Sequence, residues 1–128
     1  MNDITFKIQN KEFLLPVDFL NERSFTVQSS LRPYRVTVLE DMGNTLDVLL
    51  ARSRKNLLLI DKKVYSHYAH LFPAVSQADI FLAEASEEWK TIDGVLQVID
   101  FLTERNFTKG DTLLVVGGGI IQDVGAFV

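Results

Sequence analysis

The chain has no cysteine among its 128 residues. That absence excludes a disulfide framework, a thiolate nucleophile and a thiolate metal site. It also lacks any apolar run approaching the roughly 20 residues that a membrane-spanning helix needs. The opening stretch MNDITFKIQNKEF has neither the basic start nor the apolar centre of a secretory signal. A soluble cytoplasmic protein without a membrane partner is the expectation. Positive charge is scarce too: 13 Lys and Arg against 17 Asp and Glu leave a net charge of −4. Nucleic acid, whose phosphates call for clustered Lys and Arg, is therefore not an expected partner. A single phosphorylated small molecule stays compatible, because the N–H groups of a helix N-terminus hold phosphate without side-chain cations.

What is present is ordinary for a folded domain: 47% apolar and 23% charged residues. A chain of this length suffices for one domain that buries roughly two-thirds of its unfolded surface. Residues 1–33 read as a short β segment, in which Ile4, Phe6 and Ile8 share one strand face, as do Phe25 and Val27. From Tyr34 the pattern turns to alternating strand and helix. Tyr34–Glu40 is an alternating β-branched run, and Asn44 is positioned to cap a helix reaching about Lys55. Asn56–Asp61 (NLLLID) is a continuous apolar run ending in an acid, as suits a strand buried on both faces of a parallel sheet. A helix is predicted over about Lys63–Leu71, a strand over Asp79–Ala83, and a helix from Ile92 to near Asn106. Thr112–Val116 (TLLVV) is a second buried strand, running into Gly117-Gly118-Gly119 and a last helix.

Such alternation implies right-handed crossovers. The predicted fold is α/β: a Rossmann-like, mainly parallel sheet with helices on both faces over residues 34–128, preceded by the β segment 1–33. The apolar stripe Val124, Phe127 and Val128 has no polar or glycine ending. It suggests a domain belonging to a longer protein, and a surface that packs against a second copy.

Three segments could carry chemistry. In TLLVVGGGIIQD, a buried strand, three glycines and a helix start let backbone approach a pyrophosphate, since no Cβ stands in the way. The order is not the G-x-G-x-x-G fingerprint of dinucleotide folds, and a tight turn without a ligand is the alternative. In Glu87-Glu88-Trp89-Lys90, after the DIFLA strand, an acid could accept from ribose hydroxyls and a lysine could donate to the same nucleoside; a solvated charged loop is the alternative, with Trp89 a packing residue. Asp61 ends a strand on the edge where open α/β sheets bind ligands, and it could meet a ribose or cap the next helix. His67 and His70 lie three apart, but no third ligand stands at sensible spacing, so exposed polar histidines are expected.

Taken together, the three segments resemble the N-terminal domain of 3-dehydroquinate synthase and its relatives, the sugar phosphate cyclases. That family reads approximately Asp-x-Asn-Val, then Gly-Glu-x-x-Lys-Thr, then Gly-Gly-Gly-x-x-x-Asp-x-x-Gly-Phe. Here these stand as Asp61-Lys62-Lys63-Val64, Ser86-Glu87-Glu88-Trp89-Lys90-Thr91, and Gly117 through Asp123, Gly125 and Phe127. Lys63 replaces Asn, Ser86 replaces Gly, and Ala126 separates Gly125 from Phe127.

The resemblance implies NAD as cofactor, held by Asp61, Lys63, Glu87, Lys90, Gly118, Gly119, Ile120 and Asp123. It implies a carbon–oxygen lyase of the shikimate pathway. A sugar phosphate alcohol is transiently oxidised, the neighbouring C–H is thereby acidified, phosphate is eliminated and a ring closes without net redox change. The family's divalent metal, zinc or cobalt, is held by a Glu and two His in a C-terminal domain, so no catalytic or metal residue is expected among these residues, and none of the activity from them alone. A homodimer is expected. The alternatives are another sugar phosphate cyclase, an iron-type NAD-dependent polyol dehydrogenase, or a stand-alone nucleotide-binding module.

Overall fold

A computed structural model describes residues 4–15 and 23–128, which form two compact units, 1–41 and 42–128. In the first unit, β1 (Ile4–Ile8) and β2 (Lys11–Leu15) make an antiparallel hairpin, and β3 (Ser24–Val27) pairs antiparallel with β4 (Tyr34–Thr37). Part of the opening segment, residues 1–3 and 16–22, lies outside the described residues. The strand expected at Tyr34–Glu40 is thus present but shorter, and its partner is β3. An alternating run specifies a strand with two unlike faces; it does not specify which neighbour it pairs with.

The second unit begins with α1 (Gly43–Ala51). Its N-cap is Met42, which makes no side-chain cap, so the expected Asn44 cap is not used. Then follow β5 (Asn56–Asp61), α2 (Lys62–Tyr68) with a 3₁₀ turn to Leu71, β6 (Ile80–Ala83), α3 (Ile92–Glu104), β7 (Thr112–Val116) and α4 (Gly119–Phe127). The three strands form a parallel sheet in the order β6-β5-β7. Every ladder in this sheet joins strands separated by a helix, which is what parallel pairing requires.

β5 shows why NLLLID has no polar alternation. Leu57 and Leu59 project into one core with Val95, Val98, Phe101 and Leu102 of α3 and Ile121 and Val124 of α4. Leu58 and Ile60 project into another core with Leu46 and Leu50 of α1, Phe72 and Val75. All four β5 side chains are fully buried. Successive residues of a strand face opposite ways, so a strand covered on both sides must be apolar at every position. The expected α/β sandwich with helices on both faces is what the chain forms. At the end of α4, Val124 is buried and Val128 packs against the α3–α4 core, while Phe127 points outward. Of the stripe expected to offer a surface to a second copy, Val124 and Val128 are thus turned to the domain's own core, and Phe127 is the one left exposed.

Candidate functional site

Because β5, β6 and β7 are parallel and in register, their carboxyl ends lie side by side. Asp61 pairs with Ala83, and Ile60 with Val116. The three segments singled out by sequence leave from these ends, on the edge where open α/β sheets bind ligands. The parallel topology brings them together although more than 20 residues separate each from the next in sequence.

At the end of β7, three adjacent glycines do different things. A Cβ at Gly117 would lie 2.8 and 2.9 Å from Cγ1 and Cβ of Ile121, so this glycine is dictated by the packing of α4 on its own entry turn. Gln122 reaches back from α4, its Nε2 donating to the Gly117 carbonyl at 2.9 Å. Gly118 and Gly119 are unlike it: a Cβ at either would meet nothing within 4 Å. Gly118 is the N-cap of α4, at φ −77° and ψ −170°, an extended conformation that other residues adopt freely. No side chain caps the nine-residue helix at this end. Its first N–H groups carry the partial positive charge of the helix N-terminus.

At the end of β6, the loop 84–91 is built on a tight turn. The Ser86 carbonyl accepts from the N–H groups of Trp89 and Lys90, and the Ser86 hydroxyl oxygen also accepts from Trp89 N at 3.2 Å. Thr91 closes the loop as N-cap of α3, its Oγ1 accepting from Gly94 N. Trp89 packs on Phe81 and donates from Nε1 to Gln97 Oε1 at 3.2 Å, so it is a packing residue. Lys90 Nζ lies 2.7 Å from Asp123 Oδ2, joining this loop to α4. The hydrogen bond and charge of Asp123, with a smaller push from Glu87, raise the Lys90 amine above its ordinary pKa.

At the end of β5, Asp61 caps α2, its Oδ1 accepting from Lys63 N at 2.7 Å. The capping role weighed for it is realised, and a carboxylate has acceptor capacity beyond that one bond. Lys62 Nζ stands 3.7 Å from Glu84 Oε1 across the gap between the first two strand ends.

Two clefts open on this edge. One, of about 460 Å³, is lined by Lys90, Thr91, Ile92, Val95, Asp123, Val124 and Phe127. The other, of about 340 Å³, is lined by Asp61, Lys62, Lys63, Glu84, Ala85 and Ser86. Lys90 and Asp123 thus share one cleft, and Asp61 and Lys63 the other. Glu87, Gly118, Gly119 and Ile120 line neither. Sequence reading missed Ile92 and Phe127 as cleft walls; Ile92 looks like a core residue by periodicity yet stands 63% exposed, while Phe127, expected at the surface, stands 70% exposed. Among the described residues, no three His, Asp or Glu side chains converge as a metal ligand set. His67 and His70 instead flank Tyr68 in ring contacts. Nor, among the described residues, is any helix long and apolar enough to cross a membrane.

Fold and strand-end site together define a Rossmann-like α/β domain. Residues 80–128 match the family model of the 3-dehydroquinate synthase N-terminal region. The chain is 30% identical over 111 residues to a 3-dehydroquinate synthase of Streptococcus equi subsp. equi, a match covering 83% of this chain and 31% of that protein. It is 32% identical over 107 residues to that of Streptococcus pyogenes serotype M49, covering 80% of this chain and 30% of that one. A bifunctional 3-dehydroquinate synthase/phosphatase of Fusobacterium nucleatum subsp. nucleatum matches over 48 residues at 38% identity, 38% of this chain and 7% of that protein. The match of residues 80–128 and these similarities place the chain's likeness in the N-terminal region of 3-dehydroquinate synthases. The chain spans about 31% of the length of the first of these relatives.

Proposed function

We propose that this chain is the NAD-binding part of a 3-dehydroquinate synthase-type lyase, with the cofactor lying along the carboxyl ends of β5, β6 and β7. The observation that carries the reading is the open space over Gly118 and Gly119, at an uncapped helix start. Gly117 is glycine for the protein's own packing; its two neighbours have no such internal reason. A bare backbone beside free N–H groups fits a pyrophosphate. NAD bound there would supply a transient oxidation and re-reduction of a substrate alcohol.

The chain's own residues bind and orient. The N–H groups of Gly118, Gly119 and Ile120 face the pyrophosphate, and the α4 dipole favours its charge. Asp61 and Glu87 accept from ribose hydroxyls, and Lys63 donates beside Asp61. Lys90 and Asp123, held against each other, offer one donor and one acceptor to the nucleoside on the larger cleft. Phe127 and Ile92 give that cleft an apolar wall, which keeps water from part of the site.

The substrate of the longer protein is proposed to be a sugar phosphate, and its divalent metal to be held by residues outside this chain; among the described residues no donor set fits one. These 128 residues alone are accordingly proposed to be inactive, and the working protein to be a cytoplasmic homodimer. Calorimetric titration with NAD tests the reading. Measurable binding that Gly118→Val abolishes is expected; equal binding by Gly118→Val, or none by the unaltered chain at millimolar NAD, would reject it.

A further inference from the structure

Gly94 stands in the first turn of α3, where a glycine costs the helix roughly 1 kcal/mol relative to alanine. Something else must favour it. A Cβ at this position would lie 2.1 Å from the carbonyl oxygen of Trp89, and 3.3 Å from both its carbonyl carbon and its ring Cε2. The main chain of the 84–91 loop therefore rests directly on the first turn of the helix, at a distance only a missing side chain permits. The same carbonyl accepts from Thr91 N at 2.8 Å, so it cannot rotate away without opening the loop's last turn. The indole is fixed on its other sides by Phe81 and by Gln97 Oε1. Lys90, the next residue, is then delivered to Asp123 at 2.7 Å.

We propose that Gly94 is a positioning residue: by admitting the Trp89 carbonyl onto α3, it sets the place of Lys90 against Asp123 at the mouth of the larger cleft. Gly94 touches no ligand in this account and acts only through the loop. Its relevance to cofactor binding rests on the NAD reading above, but its effect on Lys90 does not.

The test compares Gly94→Ala with two controls in the same 128-residue chain. Gly110→Ala places its Cβ where nothing lies within 4 Å. Leu58→Ala removes a fully buried side chain from the core on the other face of the sheet, which includes no residue of the loop, and lowers stability. The first readout is the pH titration of the Lys90 side chain by carbon NMR. In Gly94→Ala the amine should fall back toward its ordinary value as the lysine leaves Asp123, while both controls keep it raised. The second readout is NAD affinity in a double-mutant cycle. Gly94→Ala should weaken binding about tenfold, the size of one lost charge-assisted hydrogen bond, and should add nothing in a Lys90→Ala background.

Should Gly94→Ala fail to fold, Trp89→Leu releases the same loop from the Phe81 and Gln97 side and should give the same fall in the Lys90 amine. A Lys90 titration unchanged in Gly94→Ala, or unchanged in Trp89→Leu where that variant must stand in, overturns the proposal. If the unaltered chain binds no NAD, the cofactor reading fails while the Lys90 titration still decides the role of Gly94.

Discussion

The two units of this chain are stabilised in different ways. In residues 42–128, a sheet covered on both faces buries Leu57, Leu58, Leu59 and Ile60 completely. Among the described residues of 1–41 no side chain is buried. There the strands are held by cross-strand pairs: Phe6 stacked on Phe13 at 5.6 Å, Lys7 near Glu12, Ser24 beside Thr37, and Arg23 on Glu40 at 2.6 Å. Exposed pairs of this sort contribute a few tenths to about 1 kcal/mol each. A buried leucine contributes several times more. The contrast teaches where the site can be rigid: every proposed cofactor contact is anchored to the unit with the two cores.

The largest expected effect follows from that contrast. Leu59→Ala should cost about 2–5 kcal/mol in chemical denaturation, because it opens a cavity in a closed core. Phe6→Ala should cost no more than about 1 kcal/mol by the same measurement. Equal losses would break the comparison.

A second, smaller contrast lies inside one turn. Gly117→Ala forces a Cβ into the Ile121 side chain and should destabilise by about 1–3 kcal/mol. Gly119→Ala enters open space at a helical position and should change stability by no more than about 0.5 kcal/mol. If Gly119→Ala nevertheless lowers NAD affinity, its glycine serves a ligand and not the fold. Thermal melts alongside titrations of the two variants check this.

The smallest effects concern pH. The Lys90 amine is raised by Asp123, so its contribution is fully present below the ordinary value of 10.5 and is lost only as pH climbs through the raised value. The Lys90–Asp123 contact should therefore stay constant through neutral pH as judged by the Lys90 side-chain shifts. Asp111 behaves oppositely. Its carboxylate accepts from the Thr108 N–H at 2.8 Å and is held below its ordinary value of 3.8. That turn, which leads into β7, should be intact above 3.8 and loosen as pH falls through the lowered value, seen in the Thr108 amide resonance.

Much of the sheet was legible because burial on two faces leaves a mark at every position of a strand. NLLLID carries no polar alternation and is the fully covered central strand of the parallel sheet. TLLVV reads the same way but forms β7, which pairs on one side only and is half-buried throughout, so its expected full burial is corrected. The helices were legible by period, and their ends less so. Met42 rather than Asn44 precedes α1, since a helix can start without a side-chain cap when its neighbours pack it. Pairing partners were not legible: Tyr34–Thr37 reads as a strand in any sheet, and only the fold assigns it to β3. Of the site, the glycine turn and Lys90 could be found from sequence, but the division of labour among the glycines could not. Gly94 had a faint signal, a glycine in an otherwise regular first helical turn, whose meaning depends on a carbonyl five residues earlier.

The central claim is that three strand ends form one cofactor site, and amide chemical shifts during NAD titration test it most directly. The account predicts that Gly117–Asp123, Glu87–Lys90 and Asp61–Lys63 respond together, with one shared dissociation constant, while the hairpin of β1 and β2 stays unmoved. Shifts confined to one of the three segments, or scattered over the sheet away from its carboxyl edge, would contradict it.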